Sequence, residues 1–263
     1  MALLRVALLA MLLTWVETLP ARALLHDAPR VGANEWVEFE GGRARMLAAR
    51  TVADAGAVLE IELQPGWKTY WSAPGPSGIP PQFDVRESEG VALRRVGYPA
   101  PQRLRDAYGD AIGYERAVAF PLDLALADEV AAPMLALDAT IGVCAEICVP
   151  VTLRFATAFD RSDAMASERI ERARLALPRA GPPIEATVED GRLVFTLPNA
   201  ASDADVYVHP PEGTSLEAVA VRDGRVRVRT MGEPIDGTWH AIVRTGSGPL
   251  SRATEHALRI AQR

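Results

Sequence analysis

Apolar and polar residues alternate with a period of two along most of the chain. Val58-Leu59-Glu60-Ile61-Glu62-Leu63 ends in such a pattern and stops at Pro65-Gly66, a turn signal. Val118 to Leu124 reads as a further strand. Leu135, Leu137, Ala139 and Ile141 alternate with smaller or polar residues, and Val151, Leu153, Phe155 and Phe159 follow the same rule around Thr152 and Arg154. Between the early strands lies Pro74-Gly75-Pro76-Ser77-Gly78-Ile79-Pro80-Pro81. It is a loop, because proline removes backbone donors and clashes with a preceding helical turn. Short strands separated by turn signals predict a β-sandwich.

Residues 162–177 break the rhythm. Ala, Glu and Arg dominate, Ser162 is a candidate N-cap, and Pro178 stops the run, which predicts a short helix between two domains. The pattern is β again afterwards. Asp190-Gly191 and Asp223-Gly224 each join two alternating runs, as in a tight hairpin whose turn residues both need positive φ. Trp239 to Val243 and Ala257 to Ile260 complete a second, smaller β-sandwich-like unit, in which no chemical motif stands out. The expected organisation is a signal peptide at 1–23, a first β domain at 24–161, a helical linker at 162–180 and a second β domain at 181–263. The fold class is mainly β.

The targeting signal lies at the start. A basic opening through Arg5, an apolar run from Val6 to Val16 and Ala21-Arg22-Ala23 match a secretory signal cleaved after Ala23. The run is shorter than the ~20 residues a membrane span needs, and no later segment approaches one. The mature chain is expected outside the cytoplasm, where disulfides persist. The formal charge of -6 contains no block of like sign, which speaks against a nucleic-acid partner. Lys68 is the only lysine.

The chemistry rests on two cysteines, Cys144-Ala145-Glu146-Ile147-Cys148, between two strand-like runs. A hairpin with a three-residue loop would oppose their Cα atoms at ~4.5–5.5 Å, within disulfide range. As a staple, a five-residue ring stabilises by only about 2 kcal/mol, against nearly 5 for a ring of a hundred residues. A tight ring is also easier to reduce, which suits a reactive pair. Three readings stand side by side: redox exchange, a structural staple, and soft-metal binding by thiolates. Glu146, between the thiols, disfavours a thiolate and favours a pair that reacts when a partner docks. His26, His209, His240 and His256 show no ligand spacing, and no metal site or cofactor is expected.

Several stretches together resemble the N-terminal periplasmic domain of the thiol:disulfide interchange protein DsbD, in the branch that includes ScsB. They are Pro65 to Trp71, Pro74 to Pro81, Tyr98 to Pro101, Gly113-Tyr114 and Cys144 to Pro150, and they cover residues from about 58 to 155. The resemblance implies an immunoglobulin-like sandwich in the periplasm with a redox-active cysteine pair. Cys148 would attack a partner disulfide and Cys144 would resolve the mixed disulfide. The implied partners are envelope thiol–disulfide proteins, a membrane-embedded electron donor and a thioredoxin-like acceptor. This chain carries neither a membrane domain nor a thioredoxin-like one, so the expectation is either that the electron source is a separate protein or that the redox function has been lost. The resemblance also implies a capping loop, here Arg105-Asp106-Ala107-Tyr108-Gly109, in which Ala107 takes the place of the family's phenylalanine and Tyr108 is the candidate shield. Trp67, Tyr70 and Trp71 either line the same surface or belong to the sandwich core. A non-enzymatic adaptor with a structural disulfide and a copper-handling protein are the alternatives to a thiol–disulfide exchange protein.

Overall fold

Residues 30–50, 55–104, 109–159, 163–198, 204–211, 213–232, 237–246 and 252–261 are described by a computed structural model. The signal peptide, Ser162, Asp106 and Tyr108 fall outside the described residues. The period-two runs become two facing sheets. One has the order β1 (Val37–Phe39), β2 (Gly42–Arg50), β3 (Ala55–Leu63), β9 (Ala117–Leu126), β6 (Val91–Val96). The other has the order β11 (Cys148–Ala158), β10 (Met134–Cys144), β4 (Lys68–Tyr70), β8 (Ala111–Glu115), β7 (Gln102–Leu104), with β5 (Gln82–Asp84) also paired to β10.

Alternation decides what the sandwich encloses. Ala57, Leu59 and Ile61 of β3 and Phe120 and Leu122 of β9 meet Leu135, Leu137, Ala139, Ile141 and Val143 of β10 in one dry core. Phe120 is ringed edge-to-face by Phe83, Tyr98 and Tyr114 at 5.5–5.7 Å between ring centroids. The opposite faces of β2 and β3 offer Leu47, Ala49 and Val58, and the helix α1 (Ala164–Leu175) covers them with Ala166, Ile170 and Ala173. Its N-cap is Asp163, whose carboxylate accepts the Ala166 N–H at 2.8 Å. The cap thus sits one residue later than the sequence reading placed it.

The second unit comprises β12 (Arg179–Ala180), β13 (Ile184–Glu189), β14 (Arg192–Thr196), β15 (Asp205–His209), β16 (Leu216–Arg222), β17 (Arg225–Thr230), β18 (Trp239–Thr245) and β19 (Arg252–Ile260). They share one hydrogen-bonded path, β15-β18-β19-β13-β14-β17-β16, with β12 beside β19. Val206 and Val208 from one end of the path pack with Val226 and Val228 near the other, around Trp239, so the sheet folds over a single core. Both Asp-Gly turns have the expected positive φ, 49° and 70° at Asp190-Gly191 and 50° and 71° at Asp223-Gly224.

The two units share an interface. Tyr207 and Ile242 from the second belong to the core of the first. Tyr207 meets Trp71 edge-on at 6.3 Å and lies beneath the guanidinium groups of Arg103 and Arg244. Arg244 also donates to the Pro101 carbonyl at 3.2 Å, and Arg103 to that of Val206 at 3.4 Å.

Candidate functional site

β10 and β11 pair in unbroken antiparallel register from Met134↔Ala158 to Cys144↔Cys148. The cysteines close the ladder, with Ala145, Glu146 and Ile147 as the loop, and they form a disulfide with Cα atoms 4.1 Å apart. The register explains why they approach so closely. Val31 donates its N–H to the Arg154 carbonyl and accepts from Ala156 N–H, both at 3.0 Å, on the edge of β11 away from β10. With a period of two, Thr152, Pro150 and Cys148 also direct their backbone groups outward. Cys144↔Cys148 is therefore a non-hydrogen-bonded pair, the closer of the two antiparallel types.

The disulfide lies on the outer face of its sheet. Val149, Val151, Leu153 and Phe155 turn to the sandwich core, so Cys148, Pro150 and Thr152 turn away from it. There Cys144 packs with Tyr70, Leu104 and Ala111, and Ile79 and Cys148 close this small cluster. Cys144 has no exposed surface, whereas Cys148 is partly exposed. Ile147 at the loop tip is 73% exposed, and Glu146 beside it is exposed. An incoming group thus meets Cys148 first.

Tyr70 reaches the pair from β4. Its side chain is buried, and its hydroxyl lies 3.1 Å from Cys148 Sγ. In the oxidised state the sulfur has no proton, so the hydroxyl donates. Gly142 makes room for this ring. A Cβ there would lie 2.8 Å from Tyr70 Cδ2 and 2.6 Å from Ile79 Cβ. The Pro/Gly loop packs onto this cluster through Ile79, its one large aliphatic residue, which lies over Gly142. Its Ser77 stands against Gly109, the end of the predicted capping segment, where a Cβ would come within 2.9 Å of Ser77 Oγ.

The other predicted residues are placed as follows. Trp71 turns to the sandwich core, against Tyr207 and His209. Trp67 packs against the same core with its indole directly over Gly41, whose φ is 88°. Lys68, buried on β4, stands directly across from Cys144. Period-two reading of Lys68-Thr69-Tyr70 would have put Lys68 and Tyr70 on one face, but not next to the cysteines, because the β4–β10 pairing joins segments over seventy residues apart. Leu104 and Ala111 carried no signal at all. Among the described residues no cluster of three or more His, Cys, Asp or Glu is suited to a metal ion.

Residues 40–160 match the family described as thiol:disulfide interchange protein DsbD, N-terminal. This segment is a DsbD-type N-terminal domain. The DsbD-type domain and the unit that follows it also align with the crystal structure of the N-terminal periplasmic domain of ScsB from Proteus mirabilis. The identity is 19%, the TM-score 0.61, and the alignment covers 85% of this chain and 96% of that one. At this identity the likeness speaks for the fold, an immunoglobulin-like sandwich followed by a second β unit. InvD of Yersinia pseudotuberculosis aligns with a TM-score of only 0.19 at 14% identity over 82% of this chain and 58% of its own. No curated protein matches the chain. The match to a thiol–disulfide interchange family thus lies in residues 40–160, the segment that carries Cys144 and Cys148. No helix among the described residues is long and apolar enough to cross a membrane.

Proposed function

We propose that this chain is a periplasmic thiol–disulfide exchange protein that relays reducing equivalents between envelope redox partners through Cys144 and Cys148. The observation that carries this reading is the asymmetry of the pair. Cys148 is partly exposed and touched by a phenolic hydroxyl, while Cys144 is sealed behind it. A staple needs no such difference, whereas exchange needs one sulfur that meets the partner and one that waits.

The electrons balance as follows. In the dithiol form, the Cys148 thiolate attacks one sulfur of an oxidised partner. The partner's S–S bond breaks, a mixed disulfide forms, and the partner's second sulfur leaves as a thiolate. Cys144, deprotonated, then attacks Cys148 Sγ, the mixed disulfide breaks, and the partner departs as a dithiol with two electrons more. The resulting Cys144–Cys148 disulfide is reduced by the reverse sequence with a donor dithiol. Tyr70 stabilises the Cys148 thiolate in both directions, because a hydrogen bond to the charged form favours it. A membrane-embedded donor and a thioredoxin-like acceptor fit this scheme.

Cysteine replacement tests it. Cys144→Ala is expected to hold a partner as a mixed disulfide on Cys148, visible as a reducible higher-mass band in periplasmic extract. Cys148→Ala is expected to hold far less, since Cys144 is buried. Equal trapping by both variants, or by neither, contradicts the proposal.

A further inference from the structure

Cys144 has to ionise before it can attack Cys148, and its surroundings oppose that. It has no exposed surface and packs with Tyr70, Leu104, Ala111 and Ile79. Burial among apolar groups raises a thiol's pKa, because the thiolate loses its hydration. The Tyr70 hydroxyl is directed to Cys148. Cys144 therefore needs a compensating charge of its own.

The sheet brings one beside it. Lys68 of β4 is the cross-strand partner of Cys144, and Glu115 of β8 is the partner of Lys68 on its other side. Cys144↔Cys148 is a non-hydrogen-bonded pair, so Cys144 aims its backbone groups at β4. It forms a hydrogen-bonded pair with Lys68, with Cα atoms about 5.5 Å apart. Directly opposed residues share a face of the sheet. Lys68 thus lies on the same outer face as the disulfide, as does Tyr70 two positions along β4. Only 8% of Lys68 is exposed. Burying an ammonium costs free energy that an apolar residue in its place would avoid, so covering the sheet is not reason enough for a lysine here. Among the described residues, the charged side chains that the register places at this end of the face are Lys68 and the exposed Glu115, with the exposed Glu146 in the loop.

We infer that Lys68 supplies the positive charge that stabilises the Cys144 thiolate. The inference rests on the exchange reading above and adds what the buried sulfur requires for it. The charge acts at two points. When the pair resolves a mixed disulfide, the Cys144 thiolate attacks Cys148 Sγ, the bond from Cys148 to the partner breaks, and the partner's sulfur leaves with the electron pair. When a donor thiolate attacks Cys148 of the oxidised pair, the Cys144–Cys148 bond breaks and Cys144 takes the electron pair as the leaving thiolate. In both directions negative charge sits on Cys144 Sγ, across from the lysine. Tyr70 serves the outer sulfur and Lys68 the inner one, from the same face of one strand.

The test uses the full chain in its reduced form and a slight excess of dithiobis-nitrobenzoate. Cys148 attacks the reagent and releases one thionitrobenzoate, in a phase whose rate scales with reagent. Cys144 then attacks Cys148 Sγ and releases the second, in a phase independent of reagent. Both phases are followed across a pH series for wild type, Lys68→Met, Lys68→Gln and Lys68→Arg, with urea midpoints to report folding. Lys68→Met keeps an unbranched stem and removes the charge. It is expected to move the pH midpoint of the second phase up by about one unit, which slows that phase about tenfold at neutral pH. The first phase is expected to change by less than a factor of about three, because Cys148 lies one strand further from the charge. Lys68→Gln is expected to give the same shift and takes the place of Lys68→Met if that variant does not fold. Lys68→Arg is expected to stay near wild type. A purely structural lysine would change the urea midpoint and leave the pH midpoint alone. A second-phase midpoint that is the same in wild type and the neutral variants, or that moves as far in Lys68→Arg, overturns the role of the charge while leaving exchange intact. A wild-type chain that releases no second thionitrobenzoate overturns the exchange reading and the role of Lys68 with it.

Discussion

The Tyr70 hydroxyl lies 3.1 Å from Cys148 Sγ, although 78 positions separate the two residues in the chain. The contact exists because β4 pairs with the last residues of β10, across from the hairpin that ends in the disulfide. It gives the outermost sulfur a hydrogen-bond donor that burial holds in place. A thiolate gains more from such a donor than a thiol does.

Tyr70→Phe keeps the ring and removes the donor. The loss of a hydrogen bond to a charged sulfur is worth about 1.5 kcal/mol or more, so exchange at neutral pH is expected to slow about tenfold. The pH midpoint for alkylation of reduced Cys148 is expected to move upward. Stopped-flow alkylation across a pH series measures both. An unchanged midpoint would remove Tyr70 from the chemistry and leave it a packing residue.

Gly142→Ala inserts a methyl group where Ile79 and the Tyr70 ring now meet. Overpacking of this kind costs about 1–3 kcal/mol. The Pro/Gly loop is expected to lift, so reduction of the disulfide by a small thiol becomes faster as stability falls. Reduction rate and denaturant midpoint, measured together, check both effects.

Glu146 stands exposed at the loop tip between the cysteines. Its charge acts on the thiolate through solvent, so the effect is small and screened by salt. Glu146→Gln is expected to raise the alkylation rate of reduced Cys148 at low ionic strength by less than a factor of about three, and to have no effect near ~1 M salt. The same measurement at both salt concentrations decides it.

His209 lies at the joint of the two units, 5.7 Å from the Trp71 ring. Burial holds its pKa below the ordinary range, and the neighbouring His240 adds to this, while Glu255 partly opposes it. The neutral form is therefore the one that folds. Between the lowered pKa and the unfolded value near 6.5, the unfolded chain binds more protons, so stability rises with pH. It is fully present above about pH 6.5 and falls as the solution is acidified below it. His209→Gln is expected to flatten this dependence between about pH 5 and 7. Urea midpoints across that range measure it, and an unchanged slope would place the acid sensitivity elsewhere.

Much of this fold is legible in the sequence because period-two patterns and Asp-Gly turns are local. Leu135 to Ile141 turn to the core as their alternation requires, and Asp190-Gly191 and Asp223-Gly224 make their hairpins. The opposition of Cys144 and Cys148 follows from the same local rule, a three-residue loop in regular register. What surrounds the pair does not. Ile79, Leu104 and Ala111 reach it through pairings of β4, β7, β8 and β10 that depend on long-range sheet order. Trp67, Tyr70 and Trp71 sit within five positions of one another, yet alternation sends Tyr70 to the disulfide and Trp71 to the core. Tyr207 enters the first unit's core from a strand that no pattern near it connects to that unit.

The reduction potential of the Cys144–Cys148 pair tests the account most directly. Equilibration of the mature chain in glutathione or dithiothreitol buffers, read by thiol alkylation and mass, is expected to give a value less negative than about -300 mV, where envelope partners can both reduce and oxidise it. A value well below that limit would mark a permanent structural bond and contradict the relay.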